Sequence, residues 1–490
     1  MLKDYIDGKG KMRVMFKKIL ISLWIILLSQ AVSSTATAEL PNMGSATAGI
    51  TLEQERSLGN AWLRNLRGKA DLWDNDYASD YLAAQLSLIA QYTDTPIGPL
   101  STVIIDSPYL NAFAVPGGII GINSGLFLNA KNEAEFSSVL AHEIGHLYQR
   151  HYSRTQNNNK NTNKVQLAAI IAAIVLAQQN SEAAQATLFA SMANSVNNSL
   201  AFSREMETEA DRIGLDLLQK AGYSSEAMAD LMETLMKDSS LYNRGALEYL
   251  QTHPLSKNRI ADAKHYSQNH TNNSKIDSGE YEFIRSLSMI HHTTEEERAN
   301  LITRLSETTD TNYFYATLTA CAFWYLDQGN STKAAELLTK LTEHHSEFYF
   351  VRILHIKLLT RQGRLDEARD AINQLRQDYP NRLAPQFQAA NIYLQQSDRT
   401  GALEILKEIT LLHPDNPRGW EKRLLIEKQV GDTWGELRAN TEYLWLIGQE
   451  RKAMSYLEAA QKEPQWTGQQ KSRISARLQQ MQYDVQQYQF

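Results

Sequence analysis

Five consecutive residues, His142-Glu143-Ile144-Gly145-His146, place two imidazoles and a carboxylate at a spacing suited to metal-assisted hydrolysis. On an α-helix, positions i and i+4 share a face. His142 and His146 can therefore aim ring nitrogens at one ion, with Glu143 turned toward a water beside it. Such a site wants a third protein ligand and keeps a fourth position for water. A third histidine six residues after His146 would be one solution, but that position is Tyr152. His151 is off register and is expected at the surface, where a cation suits a helix C-terminus. The stretch Ser203-Arg204-Glu205-Met206-Glu207-Thr208-Glu209-Ala210-Asp211 offers a better partner. Glu207 and Asp211 lie at i and i+4, so one carboxylate can bind zinc while the other orients a ligand histidine through its free ring nitrogen. The competing reading of that stretch is a solvated acidic face.

These side chains need helices to carry them. Asn132 as N-cap, with Glu135 three residues on as capping-box partner, predicts a helix from about Glu133 to Arg150 whose apolar face is Phe136, Leu140, Ile144 and Leu147. A second helix is expected from Ser203 to Lys220, with Gly222 as its C-terminal cap. Upstream, Leu58, Trp62 and Leu66 recur at spacing four within Thr51 to Tyr92, which reads as one or two amphipathic helices. Val103 to Asp106 and Ala112 to Ile122 read as short strands, the latter turning at Pro116-Gly117-Gly118. The hairpin through Val115 and Ile119 would offer an edge strand to which an extended peptide could add. Residues 154–164 are polar and Asn-rich, an exposed loop that is either a lid or a plain connector. The Ala-rich run 165–177 is too short and too interrupted to span a bilayer.

From about Ser278 onward strand signals vanish and a period of 34 residues appears in Gly329, Gly363, Ser397 and Gly431. Ala334, Ala368 and Ala402 follow at a fixed offset of five, and Pro380 and Pro414 at seventeen. This register is similar to the tetratricopeptide repeat: a small residue at the turn between paired helices, Ala where they cross, Pro after the second helix. Gly448 and Ala453 restart it after half a period, which places one helix between Gly431 and Gly448.

The chain of 490 residues exceeds what one hydrophobic core organises, and 43% hydrophobic with 21% charged residues is an ordinary globular balance. Residues 1–38 read as a secretory signal: basic residues to Lys18, an apolar run from Ile19 to Leu28, and Ala36-Thr37-Ala38 before the cleavage point. The net charge of −6 becomes more negative once that segment, with six Lys/Arg against two Asp, is removed. Nucleic acid is thereby disfavoured as a partner. The single Cys321 allows no internal disulfide and is read as a small buried apolar residue. The domain reading is residues 1–38 signal, 39–270 metallopeptidase and 271–490 repeats.

The histidine motif followed by Glu207-Thr208-Glu209-Ala210-Asp211 resembles the gluzincin-type peptidases related to HtpX and the CAAX prenyl proteases. With a signal in front and repeats behind, nearly the whole mature chain is similar to that family's periplasmic members. The resemblance implies a mainly α fold: a zincin-like domain with a small β-sheet, then an all-α tetratricopeptide solenoid. It implies one zinc per chain held by His142, His146 and Glu207, Glu143 as general base and Asp211 behind the ligands. Thr252-His253-Pro254-Leu255-Ser256-Lys257-Asn258-Arg259-Ile260-Ala261-Asp262 is similar to the stretch that follows in this family. By that likeness His253 takes the fourth zinc position and Arg259 contacts substrate or oxyanion. The resemblance further implies a periplasmic enzyme acting on misassembled outer-membrane β-barrel proteins. Its repeats would contact those substrates or the barrel-assembly machinery, with at most peripheral membrane contact. A repeat-based chaperone or scaffold with a silent or closed peptidase site is the alternative. A membrane-embedded prenyl-protein protease would need spanning helices that the sequence does not offer.

Overall fold

Thr51 and Asn75 set the first two helices. The Thr51 hydroxyl accepts from the Gln54 N–H while the Gln54 side chain accepts from the Thr51 N–H, starting α1 (Leu52–Arg67). Asn75 accepts from the N–H groups of Tyr77 and Ala78, starting α2 (Asp76–Ala90). Leu58, Trp62 and Leu66 are buried, as their spacing predicts. The computed structural model describes residues 51–154, 171–172, 175, 204–240, 247–270, 278–307 and 313–488. The signal reading of 1–38, the loop 155–164 and most of 165–177 lie outside the described residues. Among the described residues no helix is long and apolar enough to cross a membrane.

Three strands follow: β1 (Ser101–Ile105), β2 (Ala112–Val115) and β3 (Ile119–Asn123). They order as β1-β3-β2, with β1 parallel and β2 antiparallel to β3. The β2-β3 turn runs through Gly117 and Gly118, both at positive φ, which only glycine adopts without strain. β2 is an edge strand, and it packs against the histidine helix. After α3 (Gly125–Asn129) comes that helix, α4 (Glu133–Tyr148), capped by the Asn132 side chain on the Glu135 N–H. The Glu135 carboxylate reaches past the expected capping-box partner to the Lys131 N–H. α5 (His151–Arg154) is one short turn. The carboxylate helix is α6 (Arg204–Lys220), closed by Gly222 at φ 89° with the Tyr223 N–H on the Leu218 carbonyl. α7 (Glu226–Ser240), α8 (Leu247–Thr252) and α9 (Lys257–Asn269) complete this part.

The remainder is helical: α10 (Glu280–His292), α11 (Glu295–Glu307), α12 (Phe314–Asp327), α13 (Ser331–His345), α14 (Tyr349–Arg361), α15 (Leu365–Asp378), α16 (Leu383–Gln395), α17 (Arg399–Leu412), α18 (Pro417–Val430), α19 (Thr433–Leu446), α20 (Glu450–Lys462) and α21 (Gly468–Gln487). The period is structural. Gly329, Gly363, Ser397 and Gly431 are all left-handed, at φ 78°, 73°, 66° and 73°, each between two antiparallel helices. Ala334, Ala368 and Ala402 are fully buried where the second helix crosses the first, since a larger side chain would hold the pair apart. Gly448, at φ 76°, repeats the turn after α19, the helix expected between the two registers. Cys321 is buried and unpaired, as expected.

One continuous core joins these helices to the first half. Phe127 stacks on Phe136 at 4.7 Å, Tyr281 lies 5.4 Å from Phe136, and Phe283 of α10 stacks on Phe350 of α14 at 3.7 Å. The Asp80 carboxylate of α2 accepts from the Leu383 and Ala384 N–H groups at 2.9 and 2.7 Å, capping α16 from outside the repeats. The residues from Ala46 to Phe490 therefore cluster as one unit.

Ser397 is the one non-glycine at the repeat turn, and nothing crowds a Cβ at Gly363. Ser397→Gly is expected to raise stability, and Gly363→Ala to lower it, each by about 1 kcal/mol. Shifts of the urea midpoint in opposite directions check this; parallel shifts would contradict it.

Candidate metal centre

The crossing of α4 and α6 sets the site. A Cβ on Gly145 would lie 2.8 Å from the Ala210 carbonyl oxygen, and one on Gly214 would lie 3.1 Å from the His142 nitrogen, so the helices touch backbone to backbone. Across that contact Glu207 reaches both histidines: Oε2 is 3.5 Å from His142 Nε2 and Oε1 is 3.3 Å from His146 Nε2. His253, just past α8, completes the group, with Nδ1 3.2 Å from both His142 Nε2 and Glu207 Oε1. All four side chains are buried, and one donor atom from each falls within 4.8 Å of the others.

The tautomers follow from the outer partners. His142 Nδ1 is 3.0 Å from Asp211 Oδ1, so a neutral His142 carries its proton there and turns the Nε2 lone pair inward. His151 Nε2 faces Glu209 Oε2 at 3.0 Å and donates to it, leaving His151 Nδ1 to accept from His146 Nδ1 at 2.9 Å. His146 Nε2 therefore also turns a lone pair inward, 3.0 Å from that of His142. Two lone pairs and a carboxylate converge on one point, an arrangement that a cation relieves. Burial opposes charge on His142, yet Asp211 and Glu207 push it up to about 10. Burial likewise works to raise Glu207, but His253, His142 and His146 together hold it well below the usual carboxylate range. The donor set of two or three imidazoles and one carboxylate is the kind that holds catalytic zinc.

Glu143 is fully buried, with Oε1 3.3 Å from His253 Nε2. Burial raises its carboxyl, while His253, His142 and the Ala114 main-chain N–H of the edge strand act the other way. A buried carboxyl beside the histidine cluster is placed to take and return a proton.

Residues 78–267 match the model for peptidase family M48, and residues 325–390 match a tetratricopeptide repeat. Residues 78–267 thus form a metallopeptidase domain similar to family M48. Over 477 residues the chain is 28% identical to the beta-barrel assembly-enhancing protease of Escherichia coli (strain K12), covering 95% of this chain and 96% of that one. It is 28% identical over 455 residues to the putative beta-barrel assembly-enhancing protease of Vibrio cholerae serotype O1, covering 92% and 94%. The mitochondrial metalloendopeptidase OMA1 of Arabidopsis thaliana is 35% identical over 157 residues, 32% of this chain and 29% of that protein. The resemblance read from the motifs is thus extended along the chain, and the enzyme class with it.

One reading of this domain needs correction. His151, expected at the surface, is fully buried beneath His146. The reason is Arg150, which ends α4 at φ 49° and is held there by Glu55, with its Nη2 2.7 Å from Glu55 Oε1. That left-handed step swings α5 back under the helix, which no helical register anticipates. Arg259, expected as a substrate or oxyanion contact, lies beside the cluster and is bonded to two of its carboxylates. Nε and Nη2 grip Asp211 at 2.6 and 2.8 Å, and Nη1 reaches Glu207 at 2.7 Å and the Pro254 carbonyl at 2.8 Å. Glu209, passed over as one charge among several, is the residue behind His151. Gly145 and Gly214 carried no signal beyond being small.

His151→Ala removes the acceptor that fixes the His146 tautomer. It is expected to weaken zinc binding roughly 10- to 100-fold in chelator competition, with helical content unchanged. Unaltered affinity would remove His151 from the site.

Proposed function

We propose that this chain is a periplasmic zinc metalloendopeptidase that degrades misassembled outer-membrane β-barrel proteins and assists their assembly. The observation that carries the proposal is the buried convergence of His142, His146, Glu207 and His253 beside Glu143. In this reading His142, His146 and Glu207 hold one zinc, Asp211 orients His142, and His253 takes the fourth position at rest. Zinc, when bound, supplies a Lewis acid that polarises a peptide carbonyl and makes water a nucleophile at neutral pH. Glu143 takes the proton of the attacking water and returns it to the leaving amine. His253 faces Glu143 from within the cluster, so it must withdraw before Glu143 can meet a substrate water. The edge strand β2 lies over α4, and an extended chain pairing with it would pass beside Glu143.

Residues 1–38 supply the secretory signal in this proposal, 39–270 the peptidase and 271–490 the repeats. The relatives named for barrel assembly, matched over nearly their whole length, support the substrate class and the assembly machinery as partner. The repeats offer a protein-binding surface. The position of His253 favours a second reading, a chaperone or scaffold whose site stays shut.

Glu143→Gln and wild type, each with zinc content measured, separate the two on an unfolded outer-membrane protein. The proposal expects one zinc in the catalytic group of both proteins and a loss of cleavage of at least a thousandfold in the variant (order of magnitude from general-base and metal catalysis). Equal cleavage, or none by either protein, would favour the shut-site reading. Strand addition has its own check: a Pro within the peptide at the pairing positions should block cleavage, and undiminished cleavage would rule it out.

A further inference from the structure

A second group of metal-binding type lies away from the catalytic cluster. Asp106 follows β1 directly, and His291 and His292 end α10. Their donor atoms fall within 4.8 Å of one another, although 185 residues separate Asp106 from His291. Asp106 Oδ1 is 2.8 Å from His291 Nε2 and 3.9 Å from His292 Nε2. Ligand atoms around a first-row ion with bonds of roughly 2.0–2.2 Å sit about 3–3.5 Å apart, so small side-chain rotations bring all three into range.

Adjacent residues inside a helix point in different directions, but these two occupy its last turn. The rings stand 4.8 Å apart and edge to face. The turn is held by Arg298, whose guanidinium is bonded to the carbonyls of Ile290 and Thr293, so that charge is spent on the backbone. His291 also lies against the Trp73 ring at 5.6 Å, which limits its swing. His292 Nε2 is 2.8 Å from the Ser124 hydroxyl. That hydroxyl has a second acceptor in the Ser107 carbonyl at 3.1 Å, so nothing buried is stranded if His292 turns its lone pair elsewhere. The side chains of Asp106 and His291 are about one-third exposed, leaving an open side for water ligands.

We propose that Asp106, His291 and His292 form a second binding site for a divalent first-row cation of the zinc class, completed by water. Two imidazoles and one carboxylate select zinc, copper or nickel over magnesium or calcium. The site would tie the end of β1, beside the metallopeptidase domain's sheet, to the helix that leads into the repeats. Its role is structural: it crosslinks the two parts without touching the reacting atoms.

The full chain, exposed to Zn2+ and dialysed against metal-free buffer, is compared with the double variant His291→Asn, His292→Asn. The expected result is one zinc fewer per chain in the variant, with unchanged circular dichroism. The reading is a difference between two proteins, so it stands whether or not the catalytic cluster is loaded. Trp73 gives a second readout, because bound Cu2+ quenches an indole at this distance. Titration of wild type should show a saturable quench that disappears in Trp73→Phe and weakens at least tenfold in apparent affinity in the double variant. Equal zinc content in the two proteins, or quench curves that superimpose, overturns the proposal.

Discussion

The contact between α4 and α6 is the constraint on which the site depends. Helices usually pack with axes about 8–10 Å apart, separated by side chains. Here Gly145 meets the Ala210 backbone and Gly214 meets the His142 backbone. A Cβ at either position would push the helices apart and withdraw Glu207 from His142 and His146. The close crossing also lets one pair of helices serve both layers of the site. Glu207 faces the point of convergence, and Asp211, one turn on, stands behind His142.

That geometry creates a charge problem. Glu143, Glu207 and Asp211 are all buried, and an isolated buried carboxylate is costly. Arg259 answers for two of them with a bidentate grip on Asp211 and a single contact to Glu207. Removing one partner from such a buried pair costs about 3–5 kcal/mol, because the other charge is left uncompensated. The remaining demand falls on the centre itself, which draws positive charge onto His142 when only protons are on offer. The short segment from α8 to α9 brings both His253 and Arg259, so whatever moves that segment alters the charge balance and the access to Glu143 together.

The repeats are fastened to α1, α2 and the turn before α2, at the start of the described chain. Asp80 of α2 caps α16, Arg418 of α18 reaches Asp74 and Asp76, and Arg64 of α1 pairs with Glu450 while lying over Trp445. Burial raises the Asp80 carboxyl to about 7 against the pull of two backbone N–H groups, a measure of how dry that junction is. Gly68 and Gly448 again allow backbone to approach backbone, with a Cβ at Gly448 falling 2.4 Å from the Arg64 carbonyl oxygen. Partner binding by the solenoid would thus act on α1 and α2, the second of which packs on the same core as α4.

What the sequence alone determined was local or periodic. The pairings i, i+4 in His142 and His146 and in Glu207 and Asp211 are helix geometry. The left-handed turns at Gly329, Gly363, Ser397 and Gly431 are a property of single residues repeated at a fixed interval. The strands, the caps and the burial of Cys321 follow from equally short-range patterns. Tertiary structure decided everything that depends on one element's path relative to another. His151 lies under His146 because Arg150 leaves the helix with positive φ, and that choice is stabilised by Glu55, 95 residues earlier. Arg259 grips Asp211 and reaches Glu207, and no spacing in the chain announces those contacts. Asp106 meets His291 and His292 only because α10 docks beside the end of β1. Spacing along a chain specifies which side chains share a face; which faces meet is settled by packing, since buried surface accrues only when distant segments come together.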